Sequence, residues 1–192
     1  VAVAVKFTAG LLLPFLLLAA VTRPRRLRVL TGMVLAAVPL IALSLLLFGL
    51  TIPNLAQQSS LLTGFSIPNI VGDVIGAGGG TPFLLKLAIV GVVAVVVHQV
   101  TRSRDWLAGA GWSTVALIAS LSWLMPWYVI WVLPLAALST SIRLRRVAVV
   151  GTVFLILTFM PATNLYMQAH GLNLLGGSAG RASLSEQNKL EQ

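Results

Sequence analysis

The sequence predicts an all-α fold: a polytopic transmembrane helix bundle of about six spans, with a short amphipathic helix on its outer surface. Three observations carry that expectation. Hydrophobic residues make up 58% of the chain and charged residues only 9%, whereas a soluble domain has about a quarter of its residues charged. The apolar residues are gathered into runs of the length needed to cross hydrocarbon as a helix, roughly 20 residues for a core about 30 Å thick. The basic residues sit in the short connections after alternate runs. A membrane barrel would instead show alternating segments of roughly ten residues, and the sequence has none.

The elements follow in order. Residues 1–21 form the first apolar run, which ends at TRPRRLR, 22–28. Residues 29–50 form the second. The connection 51–81 is polar and rich in Gly, Ser, Asn and Gln, but it contains SIPNIVGDVIG, 66–76. There Ile67, Ile70, Val71, Val74 and Ile75 share one face at helical spacing. Ser66 suits an N-cap and Pro68 a first turn. Asn69, Gly72 and Asp73 occupy the opposite face. The expectation is a helix lying on the outer membrane surface, apolar side down, released into the flexible GAGGG of 76–80. Residues 82–100 form a third span and 106–124 a fourth. The fifth, 127–141, turns on Pro126, and the sixth, 147–167, follows IRLRR. Residues 1–167 are thus expected as one bundle, and the polar tail 168–192 as disordered.

The arginines set the orientation. The connections after the first, third and fifth spans hold Arg23, Arg25, Arg26, Arg28, Arg102, Arg104, Arg143, Arg145 and Arg146, which is nine of the thirteen basic residues. Basic loops stay in the cytoplasm, so residues 51–81, the Pro126 turn, the tail and the first residue are expected on the outer side of the membrane. The net charge of +9 is therefore topological, and no basic stripe remains for a nucleic acid. Without cysteine there is no disulfide framework. His98 and His170 stand apart from clustered carboxylates, so no metal site is expected. GAGGG follows no strand, which argues against a nucleotide loop, and no cofactor is expected. Val1 opens directly into an apolar run, with neither a basic n-region nor a cleavage site. That start suggests the C-terminal part of a larger protein.

The unusual residues fall on the expected outer face. Lys6 and Lys86 lie within apolar runs, where a lysine costs roughly 2.5–3.5 kcal/mol at mid-membrane and less near an end. Each either snorkels to the interface or waits for an anionic group such as a lipid phosphate. Asp73 is either a solvated carboxylate or a weak candidate for a catalytic base. In SWLMPWYVIWVLPL, 122–135, Trp123, Trp127 and Tyr128 stand at the outer turn. Rings there anchor a span at the headgroups, or pack against a sugar or a polyprenyl chain. Notable polar groups at mid-span would favour a transporter, but the span interiors are almost entirely Leu, Val, Ala and Ile. The small residues of DWLAGAGWSTVALIAS, 105–120, would suit close packing, whether internal or against a partner. A permease fragment and a non-catalytic membrane subunit therefore stand as alternatives.

VAVKFTAGLLLPFLLL, 3–18, resembles a span of bacterial GT-C glycosyltransferases that depend on polyprenol-phosphate sugars. SIPNIVGDVIG, and DWLAGAGWSTVALIASLSWLMPWYVIWVLPLAAL at 105–138, resemble the closing half of glycosyltransferase family 87 and its mannosyltransferase-like actinobacterial relatives. The resemblance covers most of residues 1–160. It implies partners of three kinds: a polyprenyl-phosphate-linked sugar, a glycan or lipid acceptor of the cell envelope, and membrane lipids. It also implies that a carboxylate deprotonates the acceptor while a cation stabilises the departing phosphate. Lys6 and Lys86 are the candidates for that cation, and Trp127 and Tyr128 for the cleft lining. The family's catalytic aspartate belongs to a first outer loop that residues 1–192 do not contain.

Overall fold

The computed structural model describes residues 7–20, 22–49, 61–74, 82–102 and 105–171, with a few positions of the tail. Among them every regular element is helical. A 3₁₀ segment, Phe7–Leu12, runs into α1, Leu13–Ala19. The switch falls at Pro14, whose ring blocks the carbonyl four residues back and so stops the α register from extending upstream.

Helix α2, Arg23–Phe48, begins earlier than expected, and the arginines of 22–28 form its first turns rather than a loop. Pro24 sits at the helix start, where a missing N–H is no loss. Arg26 Nε donates to the Ala20 carbonyl at 2.9 Å and closes the turn between α1 and α2. Beyond its arginines the helix is apolar on all sides, and most of its described side chains are exposed, among them Leu35, Val38, Leu46 and Leu47 at 61–84%. Among the described residues α2 alone is long and apolar enough by itself to cross a membrane. A helix apolar all round belongs in a core or in lipid, and α2 is not in the core.

The packed part is built from α4 (Pro82–Arg102), α5 (Trp106–Ser120), α6 (Val129–Leu138) and α7 (Ile142–Thr158). Short connections make neighbours antiparallel. The fifth and sixth expected elements begin or end elsewhere than expected. Helix α6 is preceded by a 3₁₀ turn, Pro126–Tyr128, and α7 takes in the arginines from 143 onward. Helix α5 is central and touches α1, the short helix α3 (Ile67–Val74), α4, α6 and α7. Its buried residues are small: Ala108, Gly109, Ala110, Gly111, Ser113 and Thr114. Small side chains let neighbouring backbones come close. Leu144 of α7, fully buried, fills the space over Gly111 and clusters with Val132 and Ala136 of α6 and Ala148 of α7.

Ser113 is fully buried, and among the described residues its hydroxyl has no hydrogen-bond partner. A desolvated donor left unpaired is costly, and an apolar replacement of similar shape is close to neutral. Ser113→Ala is therefore expected to leave stability unchanged or raise it by up to about 1 kcal/mol. Thermal unfolding in detergent would check this, and a loss of stability would reveal a partner for the hydroxyl.

The expected sixth span, 147–167, is broken. Helix α7 ends at Thr158, and the chain bends by 67° into α8, Pro161–Ala169. The cause is local. Pro161 has no N–H to offer the Leu157 carbonyl, so the α ladder fails there. Thr163 Oγ1 donates to that carbonyl at 2.6 Å, and the Met160 amide reaches it at 3.3 Å. The carbonyl that proline orphans is thus satisfied and the bend is stable.

The short helix within 51–81 is present as α3, with the Ser66 hydroxyl accepting from the Asn69 amide at 3.3 Å. Its orientation needs correcting. The face holding Asn69 and Gly72, expected to look away from the membrane, is turned into the protein. Ser66 is 0% and Asn69 2% exposed, while Ile67, Val71 and Val74 are 47%, 42% and 81% exposed. Asn69 Nδ2 donates to the Gly64 carbonyl at 3.0 Å, which offsets the desolvation of the amide.

Candidate functional site

Two polar junctions hold opposite ends of the packed helices. At one end, Asp105 is the N-cap of α5. Its Oδ1 accepts from the amides of Leu107 (3.0 Å) and Ala108 (3.2 Å). Its Oδ2 accepts from the Thr140 amide (3.0 Å) and hydroxyl (2.9 Å) in the turn between α6 and α7. One carboxylate therefore caps a helix and ties two inter-helix turns together. Burial acts to raise its pKa, but the hydrogen bonds from Thr140, Ala108 and Leu107 outweigh it and leave the group below the usual carboxylate range.

At the other end, the loop before α3 is laced to the segment after α5. The Thr63 amide and hydroxyl both donate to the Ser122 carbonyl, at 2.9 and 3.1 Å. The Leu124 amide in turn donates to Thr63 Oγ1 at 2.7 Å. This contact ends α5 at Ser120, short of the expected 124, because the backbone turns extended at Leu121 to reach Thr63.

Next to this junction lies a cleft of about 670 Å³, within the size range of sites that hold a drug-sized ligand. Thr63, Gly64, Phe65 and Leu124 form one wall. The bend supplies the other, through Thr158 to Pro161 and then Asn164, Met167 and Gln168 of α8. Asn173 and Leu184 of the tail complete the lining. On α8, positions 164, 167 and 168 share one helical face, while Leu165 and Tyr166 on the other side are 66% and 64% exposed. The 67° bend thus turns an amide-bearing face over the cleft. The described lining residues are neutral, and hydroxyls and amides alternate with Phe65, Phe159 and the two methionines.

Of the sequence-derived candidates, Trp127, Tyr128, Asp73 and Lys86 belong to elements that reach this end of the protein. Trp127 and Tyr128 occupy the 3₁₀ turn just beyond the cleft wall at Leu124. Trp127 is 55% exposed and meets Tyr128 edge-on, with centroids 6.4 Å apart. Tyr128 stacks on Trp131 at 4.5 Å. Neither ring is among the residues that line the cleft. Asp73 is next to last in α3, and Lys86 lies in the second turn of α4, at the end of that helix away from Arg102. The side chains of Asp73 and Lys86 lie outside what is described, as does the whole of Lys6. Sequence reasoning missed Thr63, Asn164 and Gln168. Thr63 carries no signal, since its partner lies 59 residues away. Asn164 and Gln168 did carry one: two amides four residues apart, just after a helix-starting proline.

The family model for the MptB C-terminal domain, a mannosyltransferase-family domain, matches residues 71–175. No curated protein and no solved structure matches the chain. The family match begins within α3, takes in α4 to α8 and reaches past the bend, so it contains most of the cleft. It spans more than half of the 192 residues, and the chain belongs to the MptB C-terminal domain family.

Proposed function

We propose that the chain is the C-terminal, membrane-embedded part of a GT-C glycosyltransferase that moves a mannose-like sugar from a polyprenyl-phosphate donor to a cell-envelope glycan or lipid acceptor. The observation that carries the reading is a cleft of about 670 Å³, largely apolar but carrying hydroxyls and amides, most of whose lining lies within a mannosyltransferase-family match. In this reading the six apolar segments cross a bacterial cytoplasmic membrane, the arginine-bearing turns lie inside, and the cleft opens outward. Two features support a lipid environment. Helix α2 is apolar on every side and exposed. Helix α3 buries its polar side and exposes Ile67, Val71 and Val74, an arrangement favourable against hydrocarbon and unfavourable against water.

The acceptor hydroxyl attacks the anomeric carbon as the bond from that carbon to the phosphate oxygen breaks. A carboxylate takes the hydroxyl proton, and Asp73 is this chain's candidate for it. The electron pair of the broken bond leaves with the polyprenyl phosphate. Charge develops on the departing oxygen, so a positioned cation stabilises the transition state more than the ground state. Lys86 and Lys6 are assigned that role. Trp127 and Tyr128 form the rim along which the lipid-linked donor enters.

The test is transfer of mannose from polyprenyl-phosphate mannose by the full-length protein in membranes. Lys86→Ala or Lys6→Ala is expected to lower kcat on the order of 10²-fold, the loss typical of one oxyanion donor. Absence of transfer by the unaltered protein would sink the reading. Unchanged rates in both lysine variants would remove the lysines from it.

A further inference from the structure

We propose that Asn164 and Gln168 of α8 form the recognition edge for an uncharged hexose, so that the cleft is a sugar subsite rather than the seat of the donor's phosphate. The inference rests on the transferase reading and names the substrate unit of that same site. Three observations carry it.

The first is the chemistry of the wall. The described lining residues are all neutral. A phosphate offers only acceptors and a negative charge, so a site for it calls for cations or converging N–H donors. A pyranose offers hydroxyls that both donate and accept, which suits amides.

The second is the state of the amides. Gln168 Nε2 lies 3.5 Å from Asn164 Oδ1, at the limit of a hydrogen bond. Among the described residues, Asn164 Nδ2 and Gln168 Oε1 then have no partner. One helical turn therefore presents a donor and an acceptor side by side, matched to neighbouring hydroxyls on one ring. Thr63 stands on the facing wall, its hydroxyl already committed to Ser122 and Leu124.

The third is the apolar complement. Phe65 and Phe159 line the same cleft, and a hexose has an apolar C–H face as well as a polar rim. The bend at Pro161 is what brings the amides into place. A straight helix through 157–169 would carry Asn164 and Gln168 away from Phe65.

The test uses the full-length protein in nanodiscs, with methyl α-mannoside and a short α-linked mannoside as neutral probes and inorganic phosphate as the charged control. Saturation-transfer NMR would read binding. Thermal unfolding would check that Asn164→Leu and Gln168→Leu remain folded, as expected for exposed positions. The neutral probes are expected to bind the unaltered protein. Each variant is expected to weaken them about tenfold, the worth of one lost hydrogen bond, with no change toward phosphate. Steady-state transfer then separates the two sources of the sugar. A rise in KM confined to the acceptor assigns the cleft to the acceptor glycan, and one confined to the donor assigns it to the donor's mannose. Either result supports the proposal. Neutral probes that bind both variants as well as the unaltered protein would overturn it, as would phosphate displacing them, and both results leave the transferase reading standing. Because binding is read without turnover, failure of transfer would remove the enzyme reading without deciding the sugar site.

Discussion

Gly111→Leu is expected to destabilise the protein by about 3 kcal/mol, the upper end of what overpacking a filled core costs. A Cβ built at Gly111 collides with Leu144 Cδ2 and comes within 3.3 Å of Leu144 Cγ and Cδ1. Leu144 is 0% exposed and is walled in by Val132, Ala136 and Ala148, so it has nowhere to swing. A leucine at 111 therefore has to separate α5 from α7, and α5 is the helix that the rest of the packing uses. Gly111→Ala separates space from propensity. It gains about 1 kcal/mol of helix preference over glycine, but its Cβ is itself the atom that meets the walled-in Leu144, so it is expected to destabilise by about 1 kcal/mol, the low end of overpacking and less than the leucine. Thermal or denaturant unfolding in detergent measures both. Equal stability of the leucine variant and the parent protein would mean that α5 and α7 do not pack as described.

Asp105→Ala is expected to cost about 2 kcal/mol, the upper end for loss of an N-cap, because the tie to Thr140 is lost with the cap. Asp105→Asn should fall between. Asparagine caps well, but its NH₂ faces the Thr140 amide, a donor against a donor. The same carboxylate gives a pH dependence whose sign follows from its depressed pKa. The folded value lies below the ordinary 3.8, so the stabilisation is fully present above that ordinary value. It is lost as pH falls through the folded value, because protonation removes the charge that the hydrogen bonds favour. As pH is lowered from neutral to well below 3.8, the stability of the parent protein relative to Asp105→Asn should therefore hold until about 3.8 and then fall progressively. A constant gap across that range would show that the charge of Asp105 contributes nothing.

The two residues show why some of the fold could be read in advance and some could not. The run of small residues in 105–120 marked a helix built for close contact, and α5 is that helix. Asp105 before it was visible as a charge in an arginine-rich connection. Its partner Thr140, however, is 35 residues away, and no local pattern joins them. For α3 the periodicity of Ile67, Ile70, Val71 and Val74 gave the helix and its two faces. It did not give which face is buried, because that depends on whether a partner exists for Asn69. The Gly64 carbonyl supplies one. The sixth apolar run read as a single span because hydropathy is blind to one missing N–H. Pro161 breaks it, and Thr163 makes the break stable.

What the sequence determined by itself is the helical class, the apolar length of α2, the gathering of the arginines at the ends of the apolar runs and the likeness to a mannosyltransferase family. All of these follow from composition, local spacing or short stretches of residues. Only the tertiary structure decided where the cleft is. The cleft joins residues 63–65, 124 and 158–168, which meet because Thr63 bridges to Ser122 and Pro161 turns α8 over them. Those placements rest on hydrogen bonds between distant backbone groups and on one satisfied break in a helix. Such bonds are set by where segments end up after packing, and that information is held by no single stretch of the chain.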